Sequence, residues 1–283
     1  MVNVKKVFAQ IYIWLILLLM YLPILILIVF SFTTSQNVGQ WAGFKFDLYV
    51  NLFKDREIWI ATGNTLIVAV SSAILSVVLG TAGAIGAFYS KKRMKKVYEV
   101  VNQIPIVNAE IVMALSLCIM FTFLGTYIFR TELASYWTLL IGHMVLATPF
   151  VFISVMPKLQ QMDPSMYEAA MDLGCTPNQA LRKVIIPEIM PGILSGFLLS
   201  ITLSLDDFVI TDFTRGAGLL SGEKQIETIS TYVQAHIKKR PVPPELRALT
   251  TIIFLLVVVA VVIITVRRYR QSKQVKVRKG RIA

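Results

Sequence analysis

The chain has 283 residues, 56% of them hydrophobic and only 16% charged, with a formal net charge of +12. Soluble domains carry about 25% charged residues; here the charge sits in short blocks between long uncharged runs, which excludes an ordinary soluble enzyme and marks a membrane protein. Nucleic-acid binding is not indicated, because the basic residues stand at the ends of apolar segments, where they hold a chain against the cytoplasmic face.

About 20 apolar residues cross about 30 Å of hydrocarbon. In chain order the expected spans are 7–32, 62–89, 97–127, 133–156, 191–213 and 249–266. The first follows Lys5 and Lys6 as a signal peptide would, but its apolar run is too long and lacks a small-residue cleavage site, so it is expected to be an uncleaved helix. The second carries Ser72, Ser76, Gly80 and Ala84 at a spacing of four, a small-residue stripe suited to close packing on a neighbouring helix. With both termini cytoplasmic, 18 of the 28 Lys and Arg residues fall inside, including Lys91, Lys92, Arg93, Lys95 and Lys96; Lys238, Lys239 and Arg240 fall outside. The expected fold is an all-α membrane protein of six transmembrane helices, with the membrane domain over 1–270 and a basic cytoplasmic tail over 271–283.

Cys118 and Cys175 give no disulfide or metal pattern, and His143 and His236, isolated in sequence, read as structural or incidental. The GAGLLSGEK run at 216–224 has the wrong spacing for a P-loop and no preceding strand, so ATP is expected to be handled by another chain.

The segment 158–190 resembles neither a span nor a simple loop. Asp163-Pro164 reads as a helix start and Gly174 as its stop. Thr176-Pro177 starts a second helix, with Gln179 completing a capping box and Pro187 ending it. Two short helices joined by a sharp turn are suited to docking in a partner's groove. This segment resembles the coupling-loop signature of permease subunits in ABC importers: EAA, three residues, Gly, nine residues, Ile-x-Leu-Pro. The matching positions are Glu168, Ala169, Ala170, Gly174, Val184, Ile186 and Pro187, with every spacing kept and Val and Ile replacing Ile and Leu. The resemblance implies the type I importer permease fold, a loop that inserts into a cleft of the ATPase, and a dimer of ATP-binding subunits that uses ATP and Mg. It implies no cofactor and no catalysis in this chain.

Carboxylates inside spans cost about 2.5–3.5 kcal/mol each on insertion scales. Glu110, Asp206 and Asp207 lie in expected spans. Counted at 1.5 Å per residue along unbroken helices, Glu110 and Asp206 both lie roughly 20 Å from the cytoplasmic side, as a path for a polyvalent cation would require. Adjacent Asp206 and Asp207 would point about 100° apart on a helix, so one of them is open to a second role as the cap of a broken helix or a bond to a neighbouring subunit. Glu110, after Pro105 and Asn108, is equally open to satisfying backbone freed by a kink.

The run LSLDDFVIT at 203–211, followed by Pro244, Glu245, Ala248, Leu249 and Thr250, resembles the C-terminal part of spermidine/putrescine permease subunits. The Lys238-Lys239-Arg240 insertion departs from that pattern. What this resemblance implies is a polyamine path through Asp206, Asp207, Glu110, Ser204 and Phe208, a second, non-identical permease partner, an extracytoplasmic binding protein and a bacterial cell membrane location. The alternatives are a permease for a phosphonate, an amino-acid derivative or iron, and a non-transporting membrane scaffold. An intramembrane aspartyl protease is disfavoured, because it needs its aspartates on two facing helices.

Overall fold

The computed structural model describes residues 4–35, 40–130, 134–163, 165–216, 226–239, 243–256, 258–259 and 262. Among them the only regular structure is helical, and five helices are long and apolar enough to cross a bilayer: Gln10–Phe30, Arg56–Phe88, Glu110–Phe129, Tyr136–Gln161 and Pro177–Asp206. The sixth expected span, 249–266, is helical over 249–256 and runs partly outside the described residues, where the basic tail, Pro164 and Arg240 also lie.

The chain divides into two compact units, Met1–Arg56 with His236–Ala283, and Glu57–Ala235. In the first, α1 (Val4–Phe30) exposes Ile11, Tyr12, Ile13, Trp14 and Leu15, consecutive positions that face every side of the helix. A helix apolar on every side and unburied has lipid as its solvent. Beyond it Phe32 stacks on Phe44 at 5.1 Å and meets Phe46 edge-on. The short α2 (Asp47–Lys54) buries Leu48 and Leu52, four residues apart on one face. Arg247, in the helix over 245–256, donates from Nη1 to the Ser35 carbonyl at 2.9 Å.

The second unit contains α3 (Arg56–Phe88), α4 (Lys92–Val107), α5 (Glu110–Phe123), α6 (Tyr136–Gln161) and α7 (Ser165–Asp172). It continues through α8 (Pro177–Ala180), α9 (Ile186–Asp206), α10 (Val209–Thr214) and α11 (Ile229–Lys239). Its core joins Ala84 and Ala87 of α3, Val151, Phe152, Val155 and Leu159 of α6, and Ile185 and Ile189 at the start of α9. The stripe on α3 is buried throughout. At Gly80 an added Cβ would lie 2.9 Å from the Thr148 carbonyl oxygen and 2.7 Å from Val151 Cβ, so the glycine is what lets α3 approach the α6 backbone. On α9, Gly192 and Gly196 approach α6 in the same way, at Ser154 and Val151. Gly80→Val is accordingly expected to destabilise the purified protein by about 1–3 kcal/mol, the cost of overpacking, read as a lower thermal unfolding midpoint in detergent.

Three expected elements differ. The segment 97–127 is not one helix: α4 ends at Val107, Asn108 and Ala109 are extended (ψ 144° and 131°), and α5 begins at Glu110. Pro105, which cannot donate a backbone hydrogen bond, stands in the last turn before this break. Pro187 does not end a second coupling helix, and the fifth span does not begin near Pro191. Instead α8 runs through a π-turn (Leu181–Ile185) into α9, giving a helical run from Pro177 to Asp206. The wider π-turn just ahead of Pro187 accommodates a residue that lacks the N–H and crowds the preceding turn. Finally, 191–213 is interrupted, since Asp207 is extended (ψ 124°) and α10 starts at Val209.

Candidate functional site

The turn between α7 and α8 is built from local chemistry. Asp163 Oδ1 accepts from the Ser165 amide at 2.9 Å and from its hydroxyl at 2.8 Å, fixing the start of α7. The helix ends in a Schellman motif: Gly174 N–H donates to the Met171 carbonyl and Cys175 N–H to that of Ala170, with Gly174 at φ +84°. The next helix then opens on a reciprocal box, Gln179 N–H to Thr176 Oγ1 and Thr176 N–H to Gln179 Oε1. Ala170 is buried, while Met166, Tyr167 and Leu181 pack on the core residues of α3, α6 and α9. Glu168, Ala169 and Gly174 are exposed, and Leu173 presents 86% of its surface at the tip. Val184 lies half-buried in the π-turn, with Ile186 and Pro187 opening α9. Because α8 and α9 are one helical run, a force on this turn acts directly on the helix that carries Asp206.

The hydrogen bonds from Ser165 hold the Asp163 carboxyl below its ordinary pKa. A depressed carboxylate stabilises the fold above its unfolded-state pKa and loses that contribution as pH falls through the folded value. Amide exchange at Ser165 and Met166 is therefore expected to accelerate on acidification below the normal aspartate range, and to become insensitive to that change in Asp163→Ala.

The second constellation surrounds the interruption between α9 and α10. Asp207 is 5% exposed. Its Oδ2 accepts from the Thr211 amide and hydroxyl, each at 2.9 Å, and its Oδ1 from the Ile210 amide at 3.3 Å, so its carboxylate caps the start of α10. Its carbonyl accepts from Ser230 Oγ at 2.7 Å, tying the turn to the start of α11. That segment is in turn held to α3, where Asn64 Nδ2 donates to the Glu227 carbonyl and Thr65 Oγ1 accepts from the Ile229 amide. Asp206, one residue away, is exposed, and Phe208 is half-buried within the interruption.

Glu110, at the first residue of α5, lies near Asp207 and Asp206, because α5 packs against α10. The three carboxyl groups are thus brought together, but not by equal depth along two unbroken helices; α5 packs against α10 instead. Ser204 is buried rather than open, and leads to a residue whose partners its isolated place in the sequence does not disclose. His143 of α6 is 1% exposed; its Nδ1 meets Ser204 Oγ at 2.8 Å and its Nε2 meets Thr211 Oγ1 at 2.9 Å, with Asp207 Oδ2 at 3.6 Å. Ser72 of α3 adds its hydroxyl to Ser204 at 3.3 Å. One proton arrangement satisfies the chain: Thr211 donates to Asp207 and accepts from Nε2–H, leaving Nδ1 to accept from Ser204. A lone ionisable side chain in an apolar span was the available signal for His143. Farther along α5 and α10, a cavity of about 580 Å³ is lined by Phe121, Thr122, Arg130, Thr138 and Phe213 among others.

The chain thus combines membrane-length helices, a compact exposed turn between α7 and α8, and a polar break where α9 ends. The family described as "Binding-protein-dependent transport system inner membrane component" matches residues 77–274. The chain is 33% identical over 236 residues to the spermidine/putrescine transport system permease protein PotC of Escherichia coli (strain K12), covering 83% of this chain and 84% of that one. It is also 33% identical over 235 residues to the putrescine transport system permease protein PotI of the same strain, covering 83% and 81%. In fold it is similar to a chain of a bacterial ABC transporter involved in the import of the acidic polysaccharide alginate, with a TM-score of 0.68 and 16% identity over 94% and 96% of the two chains. The chain belongs to the inner-membrane permease family of binding-protein-dependent ABC importers. It is a multi-pass, non-catalytic membrane component of a system that also comprises an ATPase, a binding protein and a partner permease.

Proposed function

We propose that this chain is one of two non-identical permease subunits of an importer for polyamines such as spermidine and putrescine. The grouping of Glu110, Asp206 and Asp207 where α5 begins, α9 ends and α5 packs on α10 carries the reading. Carboxylates are costly inside a bilayer and mark ion and substrate pathways, and a polyamine's ammonium groups need counter-charges where water is stripped away. Relatives named for spermidine and putrescine support the same substrate class. In this reading Asp206 and Glu110, the exposed members, contact the substrate, Asp207 and Ser204 hold the turn, and Phe208 offers a ring face to an ammonium.

The importer works by alternating access. Six spans, the last over 249–266, cross the membrane in the type I arrangement with both termini and the 271–283 tail cytoplasmic. The 158–190 segment docks on a dimer of ATPase subunits that binds ATP and Mg, with Leu173 entering a groove. A binding protein delivers substrate at the opposite face.

The test is uptake of labelled spermidine in cells stripped of native polyamine uptake, supplied with this chain and its partner genes. Restored uptake that unlabelled putrescine competes away supports the proposal. An assembled complex that restores none, yet takes up another small solute, contradicts the polyamine assignment.

A further inference from the structure

We infer that His143 is a positioning residue for transport: it bridges the helix ends on either side of the 207–208 interruption and so fixes where Asp206 stands. The functional part rests on the reading of Asp206 as a substrate contact.

The sequence LSLDDF at 203–208 holds no proline or glycine, and the local device at the break is the Asp207 carboxylate that caps α10. Where the two helix ends sit is held by tertiary bonds. One imidazole, supplied by α6, places one nitrogen on each side of the gap: Nδ1 on Ser204 in the last turn of α9, Nε2 on Thr211 in the first turn of α10. The ring is rigid and 1% exposed, so it sets the separation of the two ends and anchors both to α6. Asp207 closes the loop, because the Thr211 hydroxyl that meets Nε2 also donates to its carboxylate. Asp206 is the residue immediately before the gap, and its direction follows from where α9 is made to end. No other common side chain reproduces the bridge: glutamine places one amide group near the Nε2 position, asparagine near Nδ1, and neither reaches both partners.

Two readouts on the complete importer in proteoliposomes test this. In the first, His143→Gln and the milder Ser204→Ala are expected to raise the concentration of binding-protein-delivered spermidine needed for half-maximal uptake by about fivefold, the scale of one lost hydrogen bond, with the maximal rate changed less. Combined with Asp206→Asn, either change is expected to add little, since it acts through that carboxylate. Fully additive effects would mean a general packing role and overturn the inference. The second readout needs no substrate. With Cys118 and Cys175 replaced by serine, the Asp206→Cys variant is modified with a charged thiol reagent in the presence and absence of His143→Gln. An altered modification rate supports the positioning role, and an unchanged rate overturns it. If the rate changes while uptake is indifferent to Asp206→Asn, the substrate-contact reading fails and the positioning of the turn stands.

Discussion

Gly174→Val is expected to uncouple the importer: binding-protein-stimulated ATP hydrolysis and uptake both fall at least about tenfold, while the chain still inserts and assembles with its partner permease. Gly174 sits at φ +84°, where a side chain costs about 1–2 kcal/mol and a β-branched one more. The two Schellman hydrogen bonds reverse the chain between α7 and α8 only with that backbone conformation. Space is not the issue, since an added Cβ at Gly174 meets nothing within 4 Å. The variant therefore distorts the docking turn without disturbing the core beneath it. Gly174→Asn, which tolerates the left-handed region better, is expected to recover most of the activity. Equal failure of the asparagine and valine variants would show that a requirement other than backbone conformation operates there.

Asp207→Ala is expected to cost about 2–4 kcal/mol of stability, the largest loss from any carboxylate among the described residues, because it strands buried donors at Ile210 and Thr211 and opens the hydrogen-bonded chain through His143. Asp207→Asn keeps an acceptor for the cap and is expected to cost less than half as much. Asp206→Ala, at an exposed position, is expected to leave the thermal midpoint nearly unchanged while reducing uptake. Adjacent aspartates thus separate into a structural and a transport effect, measured by thermal unfolding of the purified complex beside uptake. Equal thermal losses at both positions would contradict this division.

Much of the docking turn was legible in the sequence because its determinants are local. The Asp163 cap, the Gly174 reversal and the Thr176–Gln179 box each involve residues within five positions of one another, and all three form. Five of the expected spans could be found from apolar length alone, although their ends moved. The continuation through Pro187 was not legible: proline ordinarily ends or kinks a helix, and only a π-turn upstream lets this one pass. The interruption after Asp206 was offered only as one alternative, since no residue there breaks helices by itself. The bridge that His143 makes was not legible because its partners lie 61 and 68 positions away in sequence, a distance at which no spacing rule operates. Glu110 and Asp206 were grouped for an incomplete reason; the break at Asn108–Ala109 invalidates counting along one helix, and packing of α5 on α10 supplies the proximity.

The most direct test of a polyamine importer with a carboxylate path is ATP-driven accumulation of labelled spermidine in proteoliposomes containing the purified importer and its loaded binding protein, compared with Asp206→Asn. The expected result is concentrative uptake by the unaltered complex and at least about tenfold less by the variant at equal assembly, as loss of one charge pairing with the substrate predicts. Equal accumulation by the two would contradict the carboxylate path, and ATP hydrolysis without spermidine accumulation by the unaltered complex would contradict the polyamine assignment.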